Sequence, residues 1–221
     1  MIKKDLTLPG LVHDLNNVFQ TLIDAAVHLS EDPQKAPVAE AILRSVERGQ
    51  RISLSLQNVE SPGAALASIL NDAILFVQDA RLVTRGPKIA FQSKIDDDVK
   101  LRWNWAWERV LINLFLNSAR AMPAGGTIEV EASCDGQNFL IAVRDSGVGI
   151  PPDLLGHLFH PDTSTKPEGG LGLHVVETIV HQNGGTVQAR NRVDSPGAEF
   201  LITVPIAIAG MPQIVAARVG V

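Results

Sequence analysis

A single cysteine, Cys134, occurs in the 221 residues of the chain. That excludes an intrachain disulfide and a cysteine-cluster metal site, and it fits a reducing compartment. Long lysine or arginine runs are absent and the net charge is −5, so nucleic acid is not an expected partner and any phosphate site must be local. The apolar stretches are short or broken by glycine and proline, and the opening MIKKD leads into no signal-peptide core. Neither membrane insertion nor a secretory leader is expected, and the chain reads as cytoplasmic. What is plentiful is apolar material, 45% of residues, enough for one large domain or two small ones.

Leu8, Leu15, Leu22 and Leu29 recur at an interval of seven, with Leu11, Val18 and Ala25 between them, which is the a/d seam of a helix over residues 6–30. At 1.5 Å per residue that helix spans roughly 37 Å. Pro33 and Pro37 are expected to frame a turn, and Val38, Ile42, Ser45, Ile52, Leu56 and Val59 continue a stripe on a second helix until SPG at 61–63. Two such helices are too thin to bury their apolar faces alone, so the spacing predicts a homodimer through residues 6–60, paired as a four-helix bundle. Beyond the break, ALASILNDAILFVQDARLV reads as helix. KIAFQ and the stretch near Leu101 read as short strands, and 105–122 as helix. TIEVEAS and NFLIAVRD are strands joined by a DGQ turn; a helix over 171–183 ends at NGG, and TVQARN and EFLITVP are the last two strands. The expected fold is an all-α hairpin over 1–60, then an α+β sandwich over 64–205 with helices on one face of a mixed sheet. The apolar tail, 206–221, either docks on this sandwich or meets a missing partner.

Two polar features stand out on these helices. His13 falls opposite the leucine seam and should project into solvent, with Asp14 beside it and Asn17 one turn on. A carboxylate can hold an imidazole and raise its nucleophilicity, and an amide can orient water, so three chemical roles fit within one turn. Asn113 and Asn117 lie four residues apart on a helix whose buried face should hold Val110, Leu111, Leu114, Phe115 and Ala119. A buried amide without partners costs about 1–3 kcal/mol, so either a ligand or metal, or backbone partners, must satisfy the pair. Glycine clusters follow at DSGVGI (145–150) and GGLGL (169–173). Taken alone they are ordinary turn sequences.

LVHDLNN, NLFLNSARAMPAGGTIEV, DSGVGI, LFHPDTSTKPEGGLGL and NGGTV occur in this order over residues 6–205. Together they resemble the transmitter core of two-component sensor histidine kinases, and NSARAMPAGGTI is most similar to the nitrogen-regulatory and hybrid kinases with short nucleotide lids. The resemblance implies a dimerisation and histidine-phosphotransfer hairpin followed by an ATP-binding domain of the GHKL (Bergerat) type. It implies that His13 accepts a phosphoryl group from Mg-ATP and passes it to an aspartate of a response-regulator receiver domain. Asp14 then matches the acidic neighbour and Asn17 the residue needed for receiver dephosphorylation. Asn117 matches the principal Mg2+-binding amide, Asn113 its companion, and Arg120 a phosphate contact. Asp145 matches the carboxylate that accepts the adenine amino group; Gly147 and Gly149 let backbone bend beneath the base. Thr165 and Lys166 match the lid, and Gly170, Leu171 and Gly172 the opening of a helix whose N-terminal amides suit polyphosphate.

Some positions depart from the family pattern. Glu168 stands where the first glycine of the second box belongs, so that box is one residue short. Trp103 replaces a common aspartate, with Asn104 available as an N-cap, and Trp103, Trp105 and Trp107 suit packing better than ligand stacking. His157, His160, His174 and His181 form no ligand pattern and receive no role. Two alternatives stay open: a phosphorelay adaptor with a degenerate nucleotide domain, and a GHKL ATPase. Against the ATPase, Asn113 stands where those enzymes resemble one another in having a glutamate general base. The upstream sensor is not identifiable.

Overall fold

The computed structural model describes residues 8–55, 64–96, 102–103, 106–160 and 171–206. The chain divides into two compact units, Met1–Pro62 with Leu82–Thr84, and Gly63–Arg81 with Arg85–Val221.

In the first unit, α1 (Leu8–Ser30) packs along α2 (Ala36–Ser55). Asp32 organises the turn: its carboxylate accepts the Gln34 N–H at 2.9 Å and pairs with Lys35 at 2.8 Å. Its carbonyl accepts the N–H groups of Lys35 and Ala36. The hydrogen bonds that its carboxylate accepts from Lys35 and from the Gln34 N–H hold that group below the usual carboxylate range. Pro37 does not frame this turn. It is the second residue of α2, where a missing N–H costs nothing because first-turn donors have no helical partner.

The buried seam also differs from the expected one. Val12 and Ala26 of α1 and Ala39, Ala41, Val46 and Ser53 of α2 are the buried residues, so that 39, 46 and 53 lie one residue on from the expected 38, 45 and 52, and Ala41 one before Ile42. A Cβ at Gly49 would lie 2.7 Å from the Phe19 ring, so glycine is what makes room for the ring at this height. Leu11, Leu15, Val18 and Leu22 instead face outward, at 41–55% exposure. The leucine stripe is real, but it is not the hairpin's own core.

In the second unit, β1 (Ala64–Ala65) pairs antiparallel with β3 (Arg102–Trp103); Ala65 belongs to this strand and not to the helix α3 (Leu66–Val83) that follows. Next come β2 (Ile89–Ile95), α4 (Ala106–Ala121), β4 (Gly126–Cys134), β5 (Asn138–Asp145), α5 (Leu171–Gln182), β6 (Thr186–Asn191) and β7 (Ala198–Pro205). The larger sheet has the order β2-β4-β5-β7-β6; β2 runs parallel to β4, and every other pairing is antiparallel. Alternation in β4 turns Ile128, Val130 and Ala132 inward. At the DGQ turn, Asp135 accepts the N–H groups of Gln137 and Asn138, and Gly136 takes φ 88°.

The core joins these inward residues to Leu111, Leu114 and Phe115 of α4 and to Val176, Ile179 and Val180 of α5. Each large side chain buried there contributes about 1.5–3 kcal/mol relative to exposure. Trp103 and Trp107 are fully buried, stacked edge-on with centroids 4.7 Å apart, and Phe139 packs on Trp103 at 5.6 Å. They are core residues; Trp105 and Asn104 lie outside the described residues.

The other sheet face carries a charge ladder. Arg144 pairs with Glu131 at 3.0 Å and with its cross-strand partner Glu199 at 2.6 Å, and Arg190 pairs with Glu199 from the next strand. Arg81 of α3 donates to the carbonyls of Ala119 (3.1 Å) and Met122 (3.5 Å), closing the C-terminal end of α4. Among the described residues no helix is long and apolar enough to cross a membrane.

Candidate functional site

The face of α4 opposite its core stripe carries the two amides. Val110, Leu111, Leu114, Phe115 and Ala119 are all buried, which leaves Asn113 and Asn117 half-buried on the adjoining side. Asn113 Nδ2 donates to the Arg109 carbonyl at 2.8 Å, so half of this amide is satisfied by its own helix. Its Oδ1 faces the first turn of α5, where a Cβ at Gly172 would stand 3.0 Å away. The Asn117 side chain makes no hydrogen bond to another described residue, and its amide remains available. Arg120, in the last turn, is exposed. Two neutral amide oxygens suit a hard divalent cation that draws its remaining ligands from water and phosphate oxygens, so the pair fits Mg2+.

Asp145 ends β5 at 1% exposure. Its Oδ1 accepts the N–H groups of Gly147 (2.9 Å) and Ala198 (3.1 Å), and its Oδ2 accepts the Ser118 hydroxyl at 3.1 Å. A carboxylate has about four acceptor sites. Three are used here, and the remaining one is on Oδ2, where an amino group of a planar base could donate. Around this carboxylate backbone approaches very closely. A Cβ at Gly147 would lie 2.8 Å from the Ala121 carbonyl oxygen, so its role is close approach without positive φ. Gly149 does take positive φ, 79°, as the bend requires. At Gly197 φ is 120° and a Cβ would collide with the Asp145 carbonyl oxygen.

The first unit presents its own group. His13 and Asp14 side chains are 75% and 65% exposed, and Asp14 Oδ1 lies 3.5 Å from His13 Nδ1. Asn17 Nδ2 lies 3.3 Å from the same nitrogen. All three expected residues therefore meet on one helical turn, and Nε2 is left facing solvent.

Thr165, Lys166 and Gly170 lie outside the described residues, as does the side chain of Leu171, although α5 does begin at Leu171. Sequence reasoning missed Ser118, Asn191, Arg192 and Gly197. Asn191 bonds both polar groups of Ile150, and Arg192 donates to the Asp145 carbonyl at 3.3 Å while pairing with Glu129 at 3.0 Å. The only signal for Asn191, Arg192 and Gly197 was their place in or beside the last turn, RVDSPG, and for Ser118 its place next to Asn117. His157 and His160 stack edge-on at 5.6 Å, and among the described residues no group of three or more His, Cys, Asp or Glu is placed to hold a metal.

A mixed sheet backed by an asparagine helix, with a buried carboxylate at the end of a central strand, defines a nucleotide-binding domain. Residues 106–208 match the family described as histidine kinase-, DNA gyrase B-, and HSP90-like ATPase. Over 221 residues the chain is 31% identical to the sensor histidine kinase ZraS of Escherichia coli O157:H7, covering 90% of this chain and 45% of that protein. Among solved structures, the mycobacterial sensor histidine kinase MprB matches with TM-score 0.54 at 23% identity, over 66% of this chain and 97% of that one. Full-length ShkA in complex with AMPPNP matches with TM-score 0.55 at 22% identity, over 93% of this chain and 47% of that one. The chain belongs to the sensor histidine kinases as a transmitter core, a His-bearing hairpin ahead of a GHKL-type ATP-binding domain. It spans under half the length of the ZraS proteins it matches.

Proposed function

We propose that this chain autophosphorylates His13 from Mg-ATP and passes the phosphoryl group to an aspartate of a response-regulator receiver domain. The observation that carries the reading is that one chain holds both a solvent-facing His13 and a buried Asp145 that keeps one acceptor site for an amino group. Asp145 selects adenine over guanine, since guanine offers a carbonyl where adenine offers N–H donors. Asn117 and Asn113 would hold Mg2+, which when bound would supply charge neutralisation at the phosphates. Arg120 adds positive charge there and Gly172 stands in the first turn of α5, while Thr165 and Lys166 as lid residues and Gly170 and Leu171 as phosphate neighbours are assigned by the resemblance alone.

At the histidine, the Asp14 carboxylate can hold the proton on Nδ1 once the Asn17 amide turns its oxygen, in place of Nδ2, toward that nitrogen, and the Nε2 lone pair is then the nucleophile. Nε2 forms the N–P bond to the terminal phosphorus as the bond to the bridging oxygen breaks, and that oxygen leaves on ADP. Alignment and charge neutralisation carry most of such a step. Asn17 serves a separate hydrolytic step, orienting water toward the receiver's phosphoaspartate so that its acyl–phosphate bond is cleaved to free aspartate and inorganic phosphate. The exposed stripe Leu11, Leu15, Val18 and Leu22 supports a homodimer in which two hairpins form a four-helix bundle. We assign residues 1–60 to dimerisation and phosphotransfer and 64–205 to ATP binding, and the need for ATP and a receiver places the core in the cytoplasm.

The GHKL ATPase reading is disfavoured by Asn113, an amide that bonds its own helix and cannot act as general base. ADP release without a receiver separates the three readings. A kinase releases ADP in a burst of about one per chain and then stalls, because each histidine is used once. Continuous turnover would establish an ATPase, and no ADP at all would favour a phosphorelay adaptor.

A further inference from the structure

We infer that Asn191 is a positioning residue for adenine-nucleotide binding, holding from the β6 side the loop that follows Asp145. The inference rests on the reading that Asp145 receives the base. The loop, residues 146–150, leaves β5 at a carboxylate already fixed by three hydrogen bonds, but its far end belongs to no strand or helix. Asn191 supplies what a neighbouring strand would. The Ile150 N–H donates to its Oδ1 at 2.6 Å, and its Nδ2 donates to the Ile150 carbonyl at 2.8 Å. One side chain thus reproduces the two-bond exchange of an antiparallel residue pair.

The loop is shaped to admit this amide. Gly149 has φ 79°, and a Cβ there would stand 2.8 Å from Asn191 Oδ1, so no other residue allows both the bend and the approach. The hairpin joining β6 to β7 grips the loop's other end as well. Arg192 donates to the Asp145 carbonyl, and Ala198, the register partner of Asn191, donates to Asp145 Oδ1. Both ends of the adenine-facing loop are therefore referenced to one hairpin. Asn191 is itself exposed, so shortening it opens no cavity and frees Ile150 to bond water. The consequence falls on the preorganisation of Gly147 to Gly149, hence on affinity.

The test is calorimetric binding of ADP and Mg-ATP to the full chain, with the single-turnover labelling rate at saturating Mg-ATP and a thermal melt. Asn191→Ala should raise both dissociation constants about tenfold and leave the saturated rate and the melting temperature near wild type. Asn191→Asp keeps the acceptor for the Ile150 N–H but loses the donor, and should fall between. Loss of melting temperature and saturated rate together, with affinity unchanged, would make Asn191 structural and overturn the inference. A wild-type chain that binds ADP, beside an Asn191→Ala variant that binds it equally, would overturn the positioning role alone. A wild-type chain that binds neither nucleotide would overturn the reading of Asp145 and this inference with it.

Discussion

Replacing Asp145 with asparagine changes one atom at the centre of the nucleotide site and separates its binding role from its structural one. Asn keeps an Oδ1 that can accept from Gly147 and Ala198, now at 2.9 and 3.1 Å. The Ser118 hydroxyl, which donates to Oδ2 at 3.1 Å, can rotate and accept from the new NH2 group. Folding should therefore lose only the charge-assisted part of these bonds, about 1 kcal/mol. Binding fares worse, because the NH2 group now meets the adenine amino group donor to donor. Removing a hydrogen bond to a charged acceptor costs about 1.5–3 kcal/mol, which raises the dissociation constant about 10- to 100-fold. Asp145→Ala provides the contrast. It leaves two backbone N–H groups and a hydroxyl without a partner in a site 1% exposed, at about 1–3 kcal/mol each. Titration calorimetry with Mg-ATP and a thermal melt read both effects. Asp145→Asn should bind weakly and melt near wild type; Asp145→Ala should bind weakly and melt much lower. Wild-type ATP affinity in Asp145→Asn, or equal melting of the two variants, would refute the reasoning.

Two further outcomes are expected. Burial pushes the Glu199 carboxyl up, but hydrogen bonds and charge from Arg190 and Arg144 outweigh it and hold the group below the usual glutamate range. A depressed folded value means that the stabilisation is present above the unfolded value and is lost as pH falls through the folded one. Glu199→Gln should thus lower the melting temperature by about 2–4 °C at pH 7, for about 1 kcal/mol, and by almost nothing at a pH below the folded value of the group. A difference of the same size at both pH values in a calorimetric scan would contradict this assignment. Asn17→Ala removes the amide beside His13 without touching Asp14, so receiver dephosphorylation should fall at least about tenfold while autophosphorylation is spared. Equal loss of both activities would refute a separate role for Asn17.

The parts of this structure that sequence made legible are those written in local periodicity. The inward set Ile128, Val130 and Ala132, the core stripe of α4, and the turn at Asp135 and Gly136 can each be read within a dozen residues. The seam between α1 and α2 was one residue off. A heptad pattern locates a stripe but does not say which neighbour covers it, and the room that Gly49 leaves for the Phe19 ring cannot be read from either helix alone. Pro37 was misplaced for a related reason, since proline marks both turns and first helical turns. At the candidate site, His13, Asp14, Asn17, Asn113, Asn117 and Asp145 are legible as candidates, because their chemistry is compressed into short motifs. The residues that hold the loop after Asp145 are not. Ser118 bonds Asp145 from 27 residues away, Asn191 bonds Ile150 from 41, and Arg192 reaches Glu129 across 63. Such pairs exist only once the sheet order is known.

Incubation of the purified chain and of His13→Ala with γ-labelled Mg-ATP, followed by acid and alkali treatment, tests the central claim most directly. Label that is lost in acid, retained in alkali and absent from His13→Ala is the predicted result. Equal label in the two chains, or none in a wild-type chain that binds ATP, would contradict the account.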